Sequence, residues 1–533
     1  MINLSSSKST FPFKVFTFLA LIACLSACDN QGVVKIEQFP ETDLAAEALI
    51  PKPLKIEADG SGFALDQFTT IHLDTDDESI KKTSYFLRDA IEAKTGLALR
   101  INATNTVNPG GVINFKFSAQ YKAGNPEAYQ LSIARDTIEI EASDAKGAFV
   151  AVQTLRQLIP FKSNTDLAPY EVWVIPTGSI EDAPQYSYRS SMLDVSRHFF
   201  SVADVKKYID LLSYYKFNTL HLHLSDDQGW RIEIKAWPKL TEIGGSTEVG
   251  GESGGFYTQE DYGEIVAYAA KHHMTIVPEI DMPGHTNAAS VSYLFLNGNG
   301  KVPELYEGTQ VGFSTFDTRK DSVYAFIDDV VKEISALTPG PYFHIGGDES
   351  HVTQKDDYVY FVNRVEKIVQ KYGKRMIGWD EVATTNIDNT SIAQVWNSAK
   401  NAQMAAEKGM KVILSPANKA YLDMKYDSLS KHGLSWAAYI PVDSAYTWHP
   451  ESYLTKETVM GVEAPLWSET ISNMAELEYL AFPRAIGYGE LGWTTQENRN
   501  WEDYERRLAA QVPFLESMNV QFYRSPRVNW NNR

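Results

Sequence analysis

The chain reads as α/β, a (β/α)8 (TIM) barrel domain preceded by a smaller α+β domain, and three observations carry that reading. After the Asp182-Ala183-Pro184 break, strand-like runs alternate with helical ones to the end of the chain. Eight strand-like runs can be counted there, the number that closes a parallel barrel. Carboxylates and tryptophans stand just past these runs one after another, and a barrel gathers the residues beyond its strand ends at one rim.

Taken in order, the chain opens with Lys8 and Lys14 ahead of an apolar run from Val15 to Leu25, the layout of a secretory signal. Leu25-Ser26-Ala27-Cys28 resembles a bacterial lipobox, and the apolar run is too short for a typical membrane span. The expectation is a lipoprotein signal peptide over 1–27, lipidation of Cys28, and an acidic, aperiodic tether over 28–50. That would hold the protein to a lipid bilayer of the bacterial cell envelope, on the periplasmic face or the outer surface. Cys24 and Cys28 are the only cysteines, so cleavage before Cys28 leaves no pair for an internal disulfide. A net charge of -19 argues against nucleic acid as a partner.

Residues 51–183 mix strand and helix patterns. Leu54 to Ala58, Thr70 to Leu73, Val112 to Phe117, Tyr129 to Ile133 and Thr137 to Ala142 read as strands. Glu78 to Lys94 and Ala145 to Ile159 read as helices, the second with Phe149, Val152, Leu155 and Leu158 on one face. No catalytic residue types concentrate in this part.

In 184–533 the strand runs are Tyr188 to Asp194, Thr219 to Leu224, Thr275 to Ile280, Tyr342 to Ile345, Arg375 to Trp379, Ile392 to Trp396, Val412 to Ser415 and Val459 to Leu466. Ser201 and Thr258 are placed to cap the helices that come after the first two strands. At the strand ends stand Asp194 and Arg197; Asp226 and Asp227; Glu279, Asp281 and His285; Asp348 and Glu349; Asp380 and Glu381 beside Trp379; Trp396; then Tyr421 and Asp423; and finally Trp467 with Glu469. The Gly346-Gly347 pair lets the chain turn sharply and present Asp348 and Glu349 at the rim.

Aromatic walls with carboxylates describe a sugar site, because the C–H face of a pyranose packs on indole while its hydroxyls need directional acceptors. His221 and His223, with Asp226 and His285, could imitate a metal site. Pairing with neighbours inside the barrel is preferred, and no metal or cofactor is expected. The glycine-rich run from Gly244 to Gly255 lacks the spacing of a phosphate loop or dinucleotide fingerprint.

Six motifs bear on the family: Tyr188 to Phe200 (YRSSMLDVSRHFF), Leu224 to Arg231 (LSDDQGWR), Pro278 to His285 (PEIDMPGH), His344 to Glu349 (HIGGDE), Gly378 to Glu381 (GWDE) and Leu466 to Glu469 (LWSE). Together they resemble the family 20 glycoside hydrolases, the β-N-acetylhexosaminidases. The resemblance implies exo-acting hydrolysis of a terminal β-linked N-acetylhexosamine from an oligosaccharide, with Glu349 as general acid and Asp348 holding the 2-acetamido group. The substrate's own carbonyl oxygen supplies the nucleophile, an exception to the two-carboxylate scheme. It further implies that Tyr421 bonds the acetamide oxygen, that Trp379, Trp396 and Trp467 line the pocket, and that Arg189, Asp423 and Glu469 hold the sugar hydroxyls. Asp226 and His285 would support the catalytic carboxylates. For Glu349 to act as an acid its pKa should be raised, by an ionised Asp348 and by desolvation.

The chain departs from the family pattern at Ser190, where glycine is common, and at His449, where an acid is expected. Two other readings are a sugar-capture lipoprotein without catalysis and a disaccharide-releasing relative such as a lacto-N-biosidase. Capture alone has no use for Glu349, and a disaccharide needs an open subsite.

Overall fold

In the computed structural model, residues 35–73, 75–102, 110–122 and 124–531 are described, so the expected signal peptide over 1–27 and the expected lipidation site Cys28 lie outside the described residues. The first domain is built on a seven-stranded sheet: β1 (Lys55–Leu65), β2 (Thr70–Leu73), β3 (Arg100–Asn102), β4 (Val112–Phe117), β5 (Tyr129–Ile133), β6 (Thr137–Ala142) and β7 (Trp173–Asp182), in the spatial order β1-β7-β5-β6-β4-β2-β3. Two helices, α1 (Glu78–Thr95) and α2 (Ala145–Leu158), accompany it. Asp77 caps α1 through the Ser79 and Ile80 amides, and Gly96 closes it in the left-handed conformation. The apolar face of α2 is buried as its periodicity requires, with Phe149, Val152, Leu155 and Leu158 all inside.

Two strands of this sheet are additional to those read from the sequence. Strand β3 is only three residues long, and β7 comes after a loop and contains Pro176 and Gly178, which weaken any strand pattern. The tether also ends sooner than Ile50. Leu44, Leu49 and Ile50 are buried, the Leu49 carbonyl accepts from Arg507 and the Ile50 amide donates to Gln157. Three apolar side chains in a polar stretch are enough to dock it.

The second domain is a closed barrel of eight parallel strands, β8 (Tyr188–Asp194), β9 (Thr219–His223), β10 (Thr275–Glu279), β11 (Tyr342–His344), β12 (Arg375–Trp379), β13 (Ile392–Val395), β14 (Lys411–Leu414) and β15 (Val459–Leu466), with β15 pairing back to β8. Their bounds agree with the sequence runs to within one residue. Ser201 starts the helix α3 (Val202–Tyr214) with a capping box to Asp204, and Thr258 does the same with Asp261 for the helix Gln259–Lys271.

Ion pairs cross between the two domains. Glu127, just before β5, is bonded by the Arg189 guanidinium, and Asp182 at the end of β7 takes Lys216 Nζ at 2.9 Å, Tyr129 Oη at 2.8 Å and Trp493 Nε1 at 2.9 Å.

Candidate active site

The carboxyl ends of the barrel strands converge on a cavity of about 300 Å³. Strand β11 ends at His344, and the chain then turns through Gly346 and Gly347, with φ of +66° and +95°. A Cβ on Gly346 would lie 1.8 Å from Asp281 Oδ1, and the Gly347 amide donates to that same oxygen at 3.1 Å. The glycines therefore fix how Asp348 and Glu349 leave the strand, as the sequence predicts.

Asp348 is 6 % exposed, whereas the side chain of Glu349 retains 29 % of its accessible surface. Asp348 Oδ1 has no protein partner among the described residues, although it is buried. His285 stands between the two acids, its Nε2 at 3.6 Å from both Asp348 Oδ2 and Glu349 Oε2. Its Nδ1 is 3.1 Å from Asp226 Oδ1, and Asp226 Oδ2 is bound by Arg197 Nη2 and His223 Nε2, each at 2.8 Å. Asp226 and His285 thus stand directly behind the carboxylate pair.

The order of the two acids differs from that expected. In the free site burial, reinforced by Glu349, pushes Asp348 up to about 7 despite the nearby His285. Burial also acts to raise Glu349, but the attraction of His285 prevails and holds it below its ordinary value. The deeper acid, away from water, keeps the proton until a ligand changes its surroundings.

Trp396, Tyr421 and Trp467 line the cavity, with Trp396 and Tyr421 near parallel at 19° and 6.5 Å between ring centroids. Asp423 and Glu469 line it too; both oxygens of Asp423 and one of Glu469 are buried without a protein partner among the described residues. Burial, and then Glu469, pushes Asp423 well above the usual carboxylate range, so it needs hydroxyl donors to hold it ionised. Trp379 is farther back than the sequence suggests. It is 1 % exposed and does not itself line the cavity, but its ring backs Trp467 at 5.7 Å.

Arg189 does not belong to the site. It lies one residue into β8, at the opposite end of the barrel, fully buried against Glu127, the Lys216 and Tyr186 carbonyls and the face of Trp493. The arginine that does reach the cavity is Arg197, beyond the strand's carboxyl end, stacked over Trp467 at 4.9 Å. Its position just past Asp194 is the signal that distinguishes it, since residues after a barrel strand face the rim. Trp436, 59 % exposed and edge-on to Trp396 and Tyr421, also lines the mouth of the cavity; nothing but its presence in a polar loop marks it in the sequence. His221 and His223 lie within 3.0 Å of carboxylate oxygens through both ring nitrogens.

An eight-stranded α/β barrel whose rim gathers carboxylates and aromatics around a cavity is the arrangement of a carbohydrate-active enzyme of the glycoside hydrolase class. Residues 186–496 match the glycosyl hydrolase family 20 catalytic domain and 46–183 match domain 2 of that family. The β-N-acetylhexosaminidase of Cellulomonas fimi is 37 % identical over 490 residues, covering 91 % of this chain and 97 % of the relative. Among solved structures, the GH20 β-N-acetylhexosaminidase of Streptomyces coelicolor A3(2) superimposes with a TM-score of 0.86 at 46 % identity, covering 92 % of this chain and 99 % of the other. A mutant β-hexosaminidase of Streptomyces plicatus in complex with the product GlcNAc matches with the same TM-score and identity, again over 92 % and 99 % of the two chains. The chain belongs to glycoside hydrolase family 20, and its activity is that of an exo-acting β-N-acetylhexosaminidase.

Proposed function

We propose that this enzyme divides its reaction between Asp348 and Glu349, and the observation that carries the division is the difference in their surroundings. Asp348 Oδ1 is buried and without a protein partner among the described residues, in the cavity that Tyr421 and Trp467 also line, a place for a substrate N–H. Glu349 is nearer solvent, where a leaving group departs. When the acetamide N–H reaches Asp348, ionised Asp348 becomes the favoured form, and the single proton of the pair moves to Glu349.

Glu349 then gives that proton to the glycosidic oxygen as the C1–O bond breaks. The acetamide carbonyl oxygen forms its bond to C1, and the positive charge of the resulting oxazolinium ion is stabilised by Asp348. Glu349, now a carboxylate, removes a proton from water as the water oxygen attacks C1 and the acetamide oxygen leaves. Two displacements at C1 retain the β configuration. Arg197, Asp423 and Glu469 hold the hydroxyls of the terminal sugar, and Trp436 at the mouth contacts the leaving group. The substrate class we assign is an oligosaccharide ending in β-linked N-acetylglucosamine or N-acetylgalactosamine, such as a chitooligosaccharide or a glycoconjugate arm.

The test is hydrolysis of a chromogenic β-N-acetylglucosaminide beside the matching β-glucoside. Loss of the acetamide removes the nucleophile, so the glucoside should react at least ~1000-fold more slowly. Comparable rates on both would overturn the mechanism.

We further propose that Cys28 carries lipid after cleavage of 1–27 and tethers the enzyme to the bacterial envelope, on the strength of Leu25-Ser26-Ala27-Cys28. Labelled fatty acid should enter the wild-type protein and not Cys28→Ser; equal labelling would refute the anchor.

A further inference from the structure

One buried carboxylate belongs to neither half of the mechanism and touches both. Glu279 ends β10 and is fully buried. Its Oε1 accepts the indole N–H of Trp379 at 3.0 Å, and its Oε2 is 2.6 Å from His223 Nδ1. From His223 the chain continues through Asp226 to His285 and the acid pair, while from Trp379 it continues through ring contact to Trp467 in the cavity wall. The rings of His221 and His344 pack beside the same carboxylate, each with a nitrogen 3.0 Å from one of its oxygens. The surrounding imidazoles, His223 first, hold Glu279 ionised, well below the usual carboxylate range, against the burial that would neutralise it.

We propose that Glu279 is a positioning residue that locks the sugar-facing wall and the proton-handling relay to each other, one carboxylate oxygen serving each. The inference rests on the division of labour between Asp348 and Glu349. Its logic is geometric: a carboxylate can accept on both oxygens at once, whereas an amide of the same shape accepts on one and donates on the other. In Glu279→Gln the anion that faces His223 Nδ1 is gone and only one oxygen remains to accept, so the charged contact to His223 and the Trp379 bond cannot both be kept as they are. Both arms are weakened, and the change is passed to Trp467 through Trp379 and to Asp226 through His223.

Two readouts test this in the full chain. The first is a double-mutant cycle in kcat/KM between Glu279→Gln and Asp226→Asn. Each alone should lose about 10–100-fold, and the double variant should lose about as much as the weaker single variant, because both interrupt one chain. Losses that multiply, or a Glu279→Gln enzyme within twofold of wild type, would overturn the proposal. The second is calorimetric binding of N-acetylglucosamine, which reads the wall without turnover. Glu279→Gln should weaken it at least threefold, and unchanged binding would also overturn it.

Should Glu279→Gln fail to fold, Trp379→Phe and His223→Gln each remove one arm. The proposal requires Trp379→Phe to lower product affinity and His223→Gln to lower turnover; the opposite pattern would sink it. A wild type that hydrolyses no β-N-acetylhexosaminide would instead count against the assigned reaction, while the binding arm would still report on Glu279.

Discussion

At the scale of single residues, the asymmetry of Asp348 and Glu349 has consequences for both activity and stability. In the free enzyme the pair carries one proton up to about pH 7, the value to which burial pushes Asp348. Above that pH both acids ionise and no proton remains for the leaving group, so kcat/KM should fall about tenfold per pH unit beyond the limb. A pH profile with no alkaline limb near 7 would contradict the assignment. Because the folded-state value of Asp348 lies above its unfolded value, the unionised form is favoured in the fold, and stability contributed there is lost as pH rises from about 4 through 7. Asp348→Asn, which cannot ionise, should therefore raise Tm at pH 8 by about 1–4 °C while abolishing most activity. Glu349→Gln should lose ~1000-fold in turnover on substrates with a poor leaving group and recover on those whose leaving group needs no proton, a recovery that Asp348→Asn should not share.

At the scale of elements, the glycine turn after β11 is the most sensitive part of the site. Gly346→Ala places a methyl carbon where Asp281 Oδ1 stands and demands a left-handed φ of a non-glycine residue. We expect kcat to fall at least ~100-fold with a smaller loss in stability, since the turn is at the rim and the strand behind it is unchanged; near-normal kcat would show that the turn does not set the geometry. Much at this scale is legible in the sequence. All eight barrel strands, both helices of the first domain and the glycine turn can be read from periodicity and punctuation, because each is a local pattern. Arg189 could not be placed in that way. A motif with two arginines does not say which faces the rim; the strand's rise of about 3.3 Å per residue does, putting the residue near its start some 17 Å from its end. Trp436 was equally hidden, since a loop has no period. The proton order of the acid pair was invisible for another reason: it depends on relative burial, which neighbours in sequence share only in part.

At the scale of the whole molecule, the two domains are held together by buried charges. Asp182 collects Lys216, Tyr129 and Trp493 in a fully buried knot, and removing its charge leaves the Lys216 ammonium uncompensated. Asp182→Asn should cost about 3–5 kcal/mol and lower Tm with little change in kcat, as thermal melts and assays on the same preparation would reveal; an unchanged Tm would refute the role given to the knot. Glu127 makes the same kind of contact to Arg189, the arginine that turned out to face away from the sugar. What looks like an accessory domain is thus the far wall of the barrel's own floor. A gene trimmed to begin at Pro184 would encode an intact catalytic rim and a base with two bare cations in it, so shortening this enzyme for production would call for replacing Arg189 and Lys216 with neutral side chains at the same time.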